Sequence, residues 1–492
     1  MPPLIELVAI TPRAVALRLL MPDARYYLPE PVAWRLHGDG IDRQGTTDRV
    51  VTVLHDLPPA TTLSFDAAGF APFEVTLPPC NGAVVLNDPA QAQVLLDGLP
   101  DGGTLIVPAG EWVVAPLLIP SHRHIWLADG ARLVAPSDRA AFPILPAGQG
   151  GSWEGLPDAC YRAILTAIDA HDITISGPGL VDGGGAHGDW WDWPKETRNN
   201  ARRARLLHLI GCEGVTILGP VLTNSPSWTV HPYMCRNLSF AGLTIRNPAD
   251  SPNTDGLNPE SCEAVRIDGV RFSTGDDCIA IKAGKRSDTG GDAHLMPTRN
   301  VTVRNCLMER GHGGVVIGSE MSGGVSDVRI SDCEMVQTDR GLRIKTRRGR
   351  GGVVSGIHLR NVSFDGVDTV LAINMHYFCD HDGHTPFVQT RQPQRVDDLT
   401  PQIRDITLDR IVARDVRLAF AACLGLPEAP VTGVVVTDAD VTFAPAPTPQ
   451  VPLMADGLRA VAGAGVLTEH CAISAPTDLP QGPLTLKDFQ PC

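Results

Sequence analysis

The chain has 492 residues and a formal net charge of −14, which argues against a nucleic-acid partner, since such a partner requires a basic face. Hydrophobic residues make up 43% of it, yet no run of about 18 apolar residues occurs, so no membrane span is expected. The 12 cysteines contain no C-x-x-C pair, so neither a disulfide scaffold nor a zinc site is indicated, and no metal or organic cofactor is expected.

The start, Met1-Pro2-Pro3-Leu4, lacks the charged, apolar and small-residue segments of a secretory signal. As the chain stands a cytoplasmic location is expected, and a periplasmic or secreted one if a signal was removed. Residues 1–80 read as short strands at Ile5–Ile10, Ala14–Leu20, Val32–Leu36, Val50–Leu54, Thr62–Phe65 and Phe73–Leu77, separated by polar or proline turns. That pattern predicts a small β-sandwich, and it resembles a fibronectin type III module. Asp88, Pro89 and Gly98 punctuate a helix near 88–97, with Asp88 as N-cap and Pro89 in the first turn. It is expected to cap the element that follows.

From there a three-residue unit, apolar-x-apolar, recurs at Ile173–Ile175, Val215–Ile217, Leu238–Phe240, Val265–Ile267, Val301–Val303, Val328–Ile330, Ile357–Leu359, Ile406–Leu408 and Val434–Val436. Several spacings suit one coil of a parallel β-helix: 23 (215 to 238), 27 (238 to 265), 27 (301 to 328), 29 (328 to 357) and 28 (406 to 434). The longer gaps at 173–215, 265–301 and 357–406 are coils with inserted loops or conceal a further coil. One coil cannot bury its own face, whereas stacked coils pair their strands and build a continuous core. The fold class is therefore all-β: residues 1–80 as a sandwich and 81–492 as a parallel β-helix. Cys212, Cys235 and Cys262 precede their units by a common offset, and Cys306 and Cys333 follow theirs by another, which predicts columns of buried, reduced thiols. Asn305, Asp332 and Asn361 share a third offset and predict a polar ladder at one turn.

Four motifs lie on successive coils: Asn253-Thr254-Asp255, Asp276-Asp277, Gly311-His312-Gly313 and Arg343-Ile344-Lys345. At the spacing of sheet strands they span roughly 15 Å. Alone, an aspartate pair reads more readily as a turn or a calcium ligand, and a single histidine as structural. Together the motifs supply three carboxylates, a histidine and two cations. Glycoside hydrolysis needs one protonated carboxyl for the leaving oxygen and one carboxylate on the other side, and crowding of acids raises the pKa of at least one. Arg343 and Lys345 share a strand face, and arginine can hold a sugar carboxylate in a fork. The run Arg343, Lys345, Arg347, Arg348, Arg350 reads either as a solvated edge or as a cradle for an anionic substrate, and its place beside the acids favours the cradle.

With these motifs, and with Gly177-Pro178-Gly179-Leu180-Val181-Asp182-Gly183, Trp190-Trp191, Asn224-Ser225-Pro226-Ser227-Trp228 and Gly275-Asp276-Asp277-Cys278-Ile279-Ala280-Ile281-Lys282, the chain closely resembles the polygalacturonase family of glycoside hydrolases over residues 82–445. The resemblance implies a right-handed parallel β-helix and hydrolysis of galacturonan or oligogalacturonides with inversion. It implies Asp276 as general acid, and Asp255 and Asp277 as the pair that holds and deprotonates water. His312 would support the acid or the sugar, Arg343 and Lys345 would bind a galacturonate carboxylate on the leaving side, and Asn253 would fix Asp255 and touch the substrate. Tyr377 matches a tyrosine the family carries downstream of its basic motif. The segments 141–153, 284–299 and 381–400 are candidates for blocking one end of the cleft, and exo action by a monomer is expected. The rivals are an endo enzyme, a hydrolase of rhamnogalacturonan or xylogalacturonan, a calcium-dependent lyase and a non-catalytic adhesive β-helix.

Overall fold

The computed structural model describes residues 4–287, 291–476 and 479. Two antiparallel sheets open the chain. One pairs Ile5–Thr11, Ala14–Leu19 and Val51–Leu54, and the other pairs Ile41–Arg49, Tyr27–Gly38, Thr62–Ala67 and Phe73–Thr76. They enclose a core that includes Leu17, Leu36, Leu63 and Phe65. The sandwich expected from the sequence is present, with one strand more than was read: Ile41–Arg49 is an exposed edge with almost no apolar residue to announce it.

A short helix, Ala92–Gly98, then covers the first coil. Asp88 accepts a hydrogen bond from the Ala90 amide at 3.0 Å, and Leu96 is buried against the core. Beyond it the strands stack in parallel as a right-handed β-helix. Every three-residue unit read from the sequence lies in one ladder, with Ile173, Val215, Leu238, Val265, Val301, Val328, Ile357, Ile406 and Val434 in register. The three long gaps are single coils with inserted loops, because the strands on either side pair directly. Ile125 and Leu105 extend the companion row, that of Ile175 and Ile217, toward the N-terminus. These side chains are at most 1% exposed, and each such Val, Leu or Ile contributes about 1.5–3 kcal/mol through burial.

The five cysteines of the two columns are buried free thiols. Asn305, Asp332 and Asn361 stack as expected, and a backbone reason accompanies the placement: their φ angles are 51°, 55° and 53°, a left-handed turn that Asn and Asp tolerate best after glycine. Asn361 Nδ2 donates to Asp332 Oδ1 at 2.8 Å, while Asn305 turns to the N-terminal sandwich, accepting from Arg18 Nε at 2.9 Å and donating to the Arg25 carbonyl at 2.6 Å. Ala9, Ala14, Ala16 and Val51 pack there on Trp126, Leu218 and Ala241 of the coils. Among the described residues no helix is long and apolar enough to cross a membrane.

A separate parallel sheet carries the motifs. It runs from Leu207–Ile210 and Val230–Tyr233 through bridges at Leu257 and Glu260 to Ile279–Ile281, Val315–Gly318, Arg340–Lys345, Thr369–Asn374 and Ala419–Leu424.

Candidate active site

Backbone hydrogen bonds between coils set the acids side by side. The Gly256 amide donates to the Asp277 carbonyl at 2.9 Å, and the His312 amide donates to the Asp276 carbonyl at 3.1 Å. Close approach explains the glycines of the motifs. A Cβ on Gly256 would lie 2.4 Å from the Cys278 carbonyl oxygen, and Gly311 combines a φ of 103° with a 2.6 Å approach to the Asp276 carbonyl oxygen.

Asn253, Asp255, Asp276, Asp277, His312, Arg343, Lys345 and Tyr377, the eight residues expected from the sequence, all line one cleft of about 360 Å³. Asp277 is buried between the cations: Lys345 Nζ donates to its Oδ2 at 2.9 Å and Arg343 Nη1 stands 3.6 Å from its Oδ1. Asp276 Oδ1 accepts from the Asp277 amide at 2.9 Å and pairs with His312 Nδ1 at 3.1 Å. Tyr377 lies under both cations, 5.8 Å from the Arg343 guanidinium and 5.5 Å from Lys345 Nζ. Asn253 Oδ1 accepts from Arg203 Nη2 at 2.5 Å, and Arg203 Nη1 also donates to the carbonyls of Pro226 and Pro252, each at 2.9 Å. Arg203 thus fixes the loop that presents Asp255.

The carboxyls are driven apart. Burial, then the neighbouring Asp276 charge, pushes Asp255 well above the usual carboxylate range. Burial also acts upward on Asp276, but the His312 hydrogen bond and the charges of His312, Lys345 and Arg343 outweigh it and hold that carboxyl well below its usual range. The same hydrogen bond raises His312 from 6.5 to about 9, against the opposing effect of burial.

The basic run divides in two. Arg343, Lys345 and Arg350 line the cleft, but Arg347 and Arg348 do not. Arg347 Nε pairs with Asp380 at 3.1 Å and its Nη2 with Asp382 at 2.7 Å, while Arg348 forks onto Glu428 at 2.6 and 3.0 Å. The solvated edge is thereby excluded, since all of these except Arg343 are under 9% exposed, and the cradle is smaller than the run. Carboxylate partners supplied by later loops were not visible from the run itself.

Several lining residues were not singled out from sequence. Lys282 and Trp228 lie within the quoted motifs, with Lys282 Nζ 4.7 Å from the Trp228 ring, and Lys282 also reaches Glu320 at 3.4 Å. Strand alternation from Ile279 and Ile281 would have turned Lys282 toward the cleft. Glu154, Cys379 and Met454 arrive on loops and left no comparable signal. Of the candidate blocking segments, 141–153 ends in a hairpin, Ser152–Trp153 against Leu156–Pro157. Its Trp153 stacks on Trp228 at 5.3 Å with planes 3° apart. The segment 284–299 enters the described residues only in part, and there Lys285 Nζ pairs with Asp380 at 2.9 Å. In 381–400 the short helix Pro386–Gln389 packs beside Arg348, whose Nη1 donates to the Val388 carbonyl at 3.3 Å.

The family model described as glycosyl hydrolases family 28 matches residues 152–441. The chain belongs to family 28 of the glycosyl hydrolases. A probable polygalacturonase of Vitis vinifera is 33% identical over 350 residues, which are 70% of this chain and 68% of that protein. An endo-polygalacturonase of Pectobacterium carotovorum subsp. carotovorum is 30% identical over 301 residues, 58% of this chain and 71% of the other. A solved family 28 exopolygalacturonase of Yersinia enterocolitica superposes with a TM-score of 0.69 at 16% identity, covering 100% of this chain and 99% of that one, a likeness of fold. The eight residues of this family 28 hydrolase that were expected from the sequence all lie within the matched segment.

Proposed function

We propose that the chain is a polygalacturonase that hydrolyses α-1,4-galacturonosyl linkages of pectin or oligogalacturonides with inversion, attacking from a chain end. The observation that carries the reading is the meeting of three carboxylates, a histidine and two cations from four coils in a single cleft. The relatives named polygalacturonases support the substrate class. Of the described residues, those up to 80 form a module docked on the outside of the coils, and those from 81 onward form the catalytic unit.

Arg343 and Lys345 bind a uronate carboxylate on the leaving side, and Tyr377 backs both. Asp276 protonates the leaving oxygen. The His312 hydrogen bond and the neighbouring charges favour an ionised Asp276 beside a protonated His312. A bound uronate offsets the charges of Lys345 and Arg343, which lower Asp276 less than His312 does, and to that extent raises its carboxyl. The proton comes from His312, 3.1 Å away. Asp277 and Asp255 hold the attacking water and take its proton, and Asn253 fixes the loop beside them. Asp277 Oδ1 accepts no hydrogen bond among the described residues, so it is free to accept one from water. Exo action is supported by the hairpin Ser152–Pro157 at the N-terminal flank of the cleft, whose Trp153 stacks on the cleft residue Trp228.

Digestion of polygalacturonate tests the reading. Mono- or digalacturonate should be released from the outset, with little loss of viscosity. A steep viscosity drop before reducing sugar accumulates refutes the exo part. An unsaturated, ultraviolet-absorbing product refutes hydrolysis.

A further inference from the structure

The groove that holds the acids runs across the coils, and its floor is the outward face of one sheet. In register with Arg343 on that face come Ala372 and then Ala422. Their neighbours Leu371 and Ile373 point into the core, so alternation turns the alanines outward, where a groove open at this end would expose them. They are instead 2% and 0% exposed, covered by Leu453 and Ala455, themselves 5% exposed each. The covering segment is latched to the site sheet. Arg340 Nη2 donates to the Pro452 carbonyl at 3.1 Å, and Asn374 Nδ2 to the Met454 carbonyl at 2.9 Å. Beyond them the Asp456 amide donates to Gln389 Oε1 at 2.9 Å. Met454 reaches into the cleft itself, its Sδ 3.0 Å from Arg343 Nη2.

We infer that residues 452–456 wall off the leaving side of the cleft and make this enzyme selective for short oligogalacturonides over polymer. The inference rests on the polygalacturonase reading and adds the length of substrate to it. Trp228, with Trp153 stacked on it, lines the cleft at its N-terminal flank, and Met454 reaches into it at the other, beside Leu453 on the sheet. A uronate ring on Arg343 and Lys345 therefore has a side chain beyond it where an open cleft would have the next ring. A long chain must bend away from the floor at that point and loses whatever contacts a straight groove would give it.

The test compares kcat/KM per molecule for purified galacturonate trimer and dodecamer, each of which offers one non-reducing end. The trimer is expected to exceed the dodecamer by at least about tenfold. Equal values, or a higher value for the dodecamer, overturn the inference and leave hydrolysis standing. No cleavage of either refutes the functional reading and this one with it. Met454→Gly, which opens the wall and also removes the sulfur contact to Arg343 while leaving the acids and cations themselves in place, should narrow the ratio by at least about threefold. A folded variant with the ratio unchanged removes Met454 from the argument. If that variant does not fold, the wild-type series still decides.

Discussion

Replacing Asp276 with Asn tests the pairing on which proton delivery depends. His312 Nδ1 lies 3.1 Å from Asp276 Oδ1, and the hydrogen bond raises His312 from 6.5 to about 9. Taken at face value that shift corresponds to ~3 kcal/mol of preference for the charged ring. The ring is 53% exposed, however, and solvent screening reduces the contribution of such a pair to about 1 kcal/mol. Even the smaller figure corresponds to a change of at least ~0.7 pKa unit. The folded-state pKa of His312 lies above its unfolded value, so its share of stability is present below pH 6.5 and is lost as pH rises through about 9. Asp276 is shifted the other way, so its share is present above its ordinary value of 3.8 and is lost as pH falls below it. Asp276→Asn should therefore lower the His312 midpoint toward 6.5, as read from the imidazole Cε1 proton resonance and assigned with a His312→Gln control. Hydrolysis should fall by roughly 10²–10⁴-fold while the fold survives. An unchanged His312 midpoint in the variant refutes the ion pair, and retained activity refutes Asp276 as the acid.

Arg348→Met removes a cation whose carboxylate partner, Glu428, is 3% exposed, so it should cost about 3–5 kcal/mol in thermal or denaturant unfolding and leave KM within about twofold. A large rise in KM with stability intact would put Arg348 back in the substrate cradle. Arg18→Ala strips the sandwich of a buried link to Asp268 and Asn305, and because Arg304 still reaches Asp268 at 3.3 Å the cost should be about 2 kcal/mol. Calorimetry should show the transition lowered or split in two, and an unshifted single transition would mean the docking depends on the apolar contact alone.

The fold was legible because the β-helix repeats one small rule. Apolar side chains at alternate positions must meet those of the next coil, so Val215 and Leu238 declared their partnership by spacing alone, however long the loops elsewhere. The site was legible for a related reason. Asp255, Asp276, His312 and Lys345 occupy fixed places at the edge of that repeat, and the glycines beside them mark where coils approach most closely. What escaped came from outside the repeat. The edge strand Ile41–Arg49 buries nothing and so carries no pattern. Met454, Glu154 and Asp380 are brought to the cleft by loops whose course depends on packing partners far along the chain, as when Leu453 covers Ala422. No local periodicity encodes such a meeting. The basic run misled in part for the same reason, since Asp382 and Glu428, which hold Arg347 and Arg348, lie 35 and 80 residues further on.

The arrangement of charge also explains how an acidic protein can take an acidic substrate. Of the five cations in the run, Arg347 and Arg348 are committed to structural carboxylates, and Lys345 is held by Asp277. The cleft therefore presents no large unpaired positive field to an empty solvent. A uronate must share Arg343 and Lys345 with Asp277, and in doing so weakens the part of the field on Asp276 that these two cations add to the larger contribution of His312. Binding and proton affinity are thereby linked, since the same two cations serve both. Neutral analogues of the substrate, lacking the carboxylate that faces Arg343, should accordingly bind without raising Asp276. They should be poor substrates in kcat as well as in KM, because the group that would draw the proton onto the acid is missing.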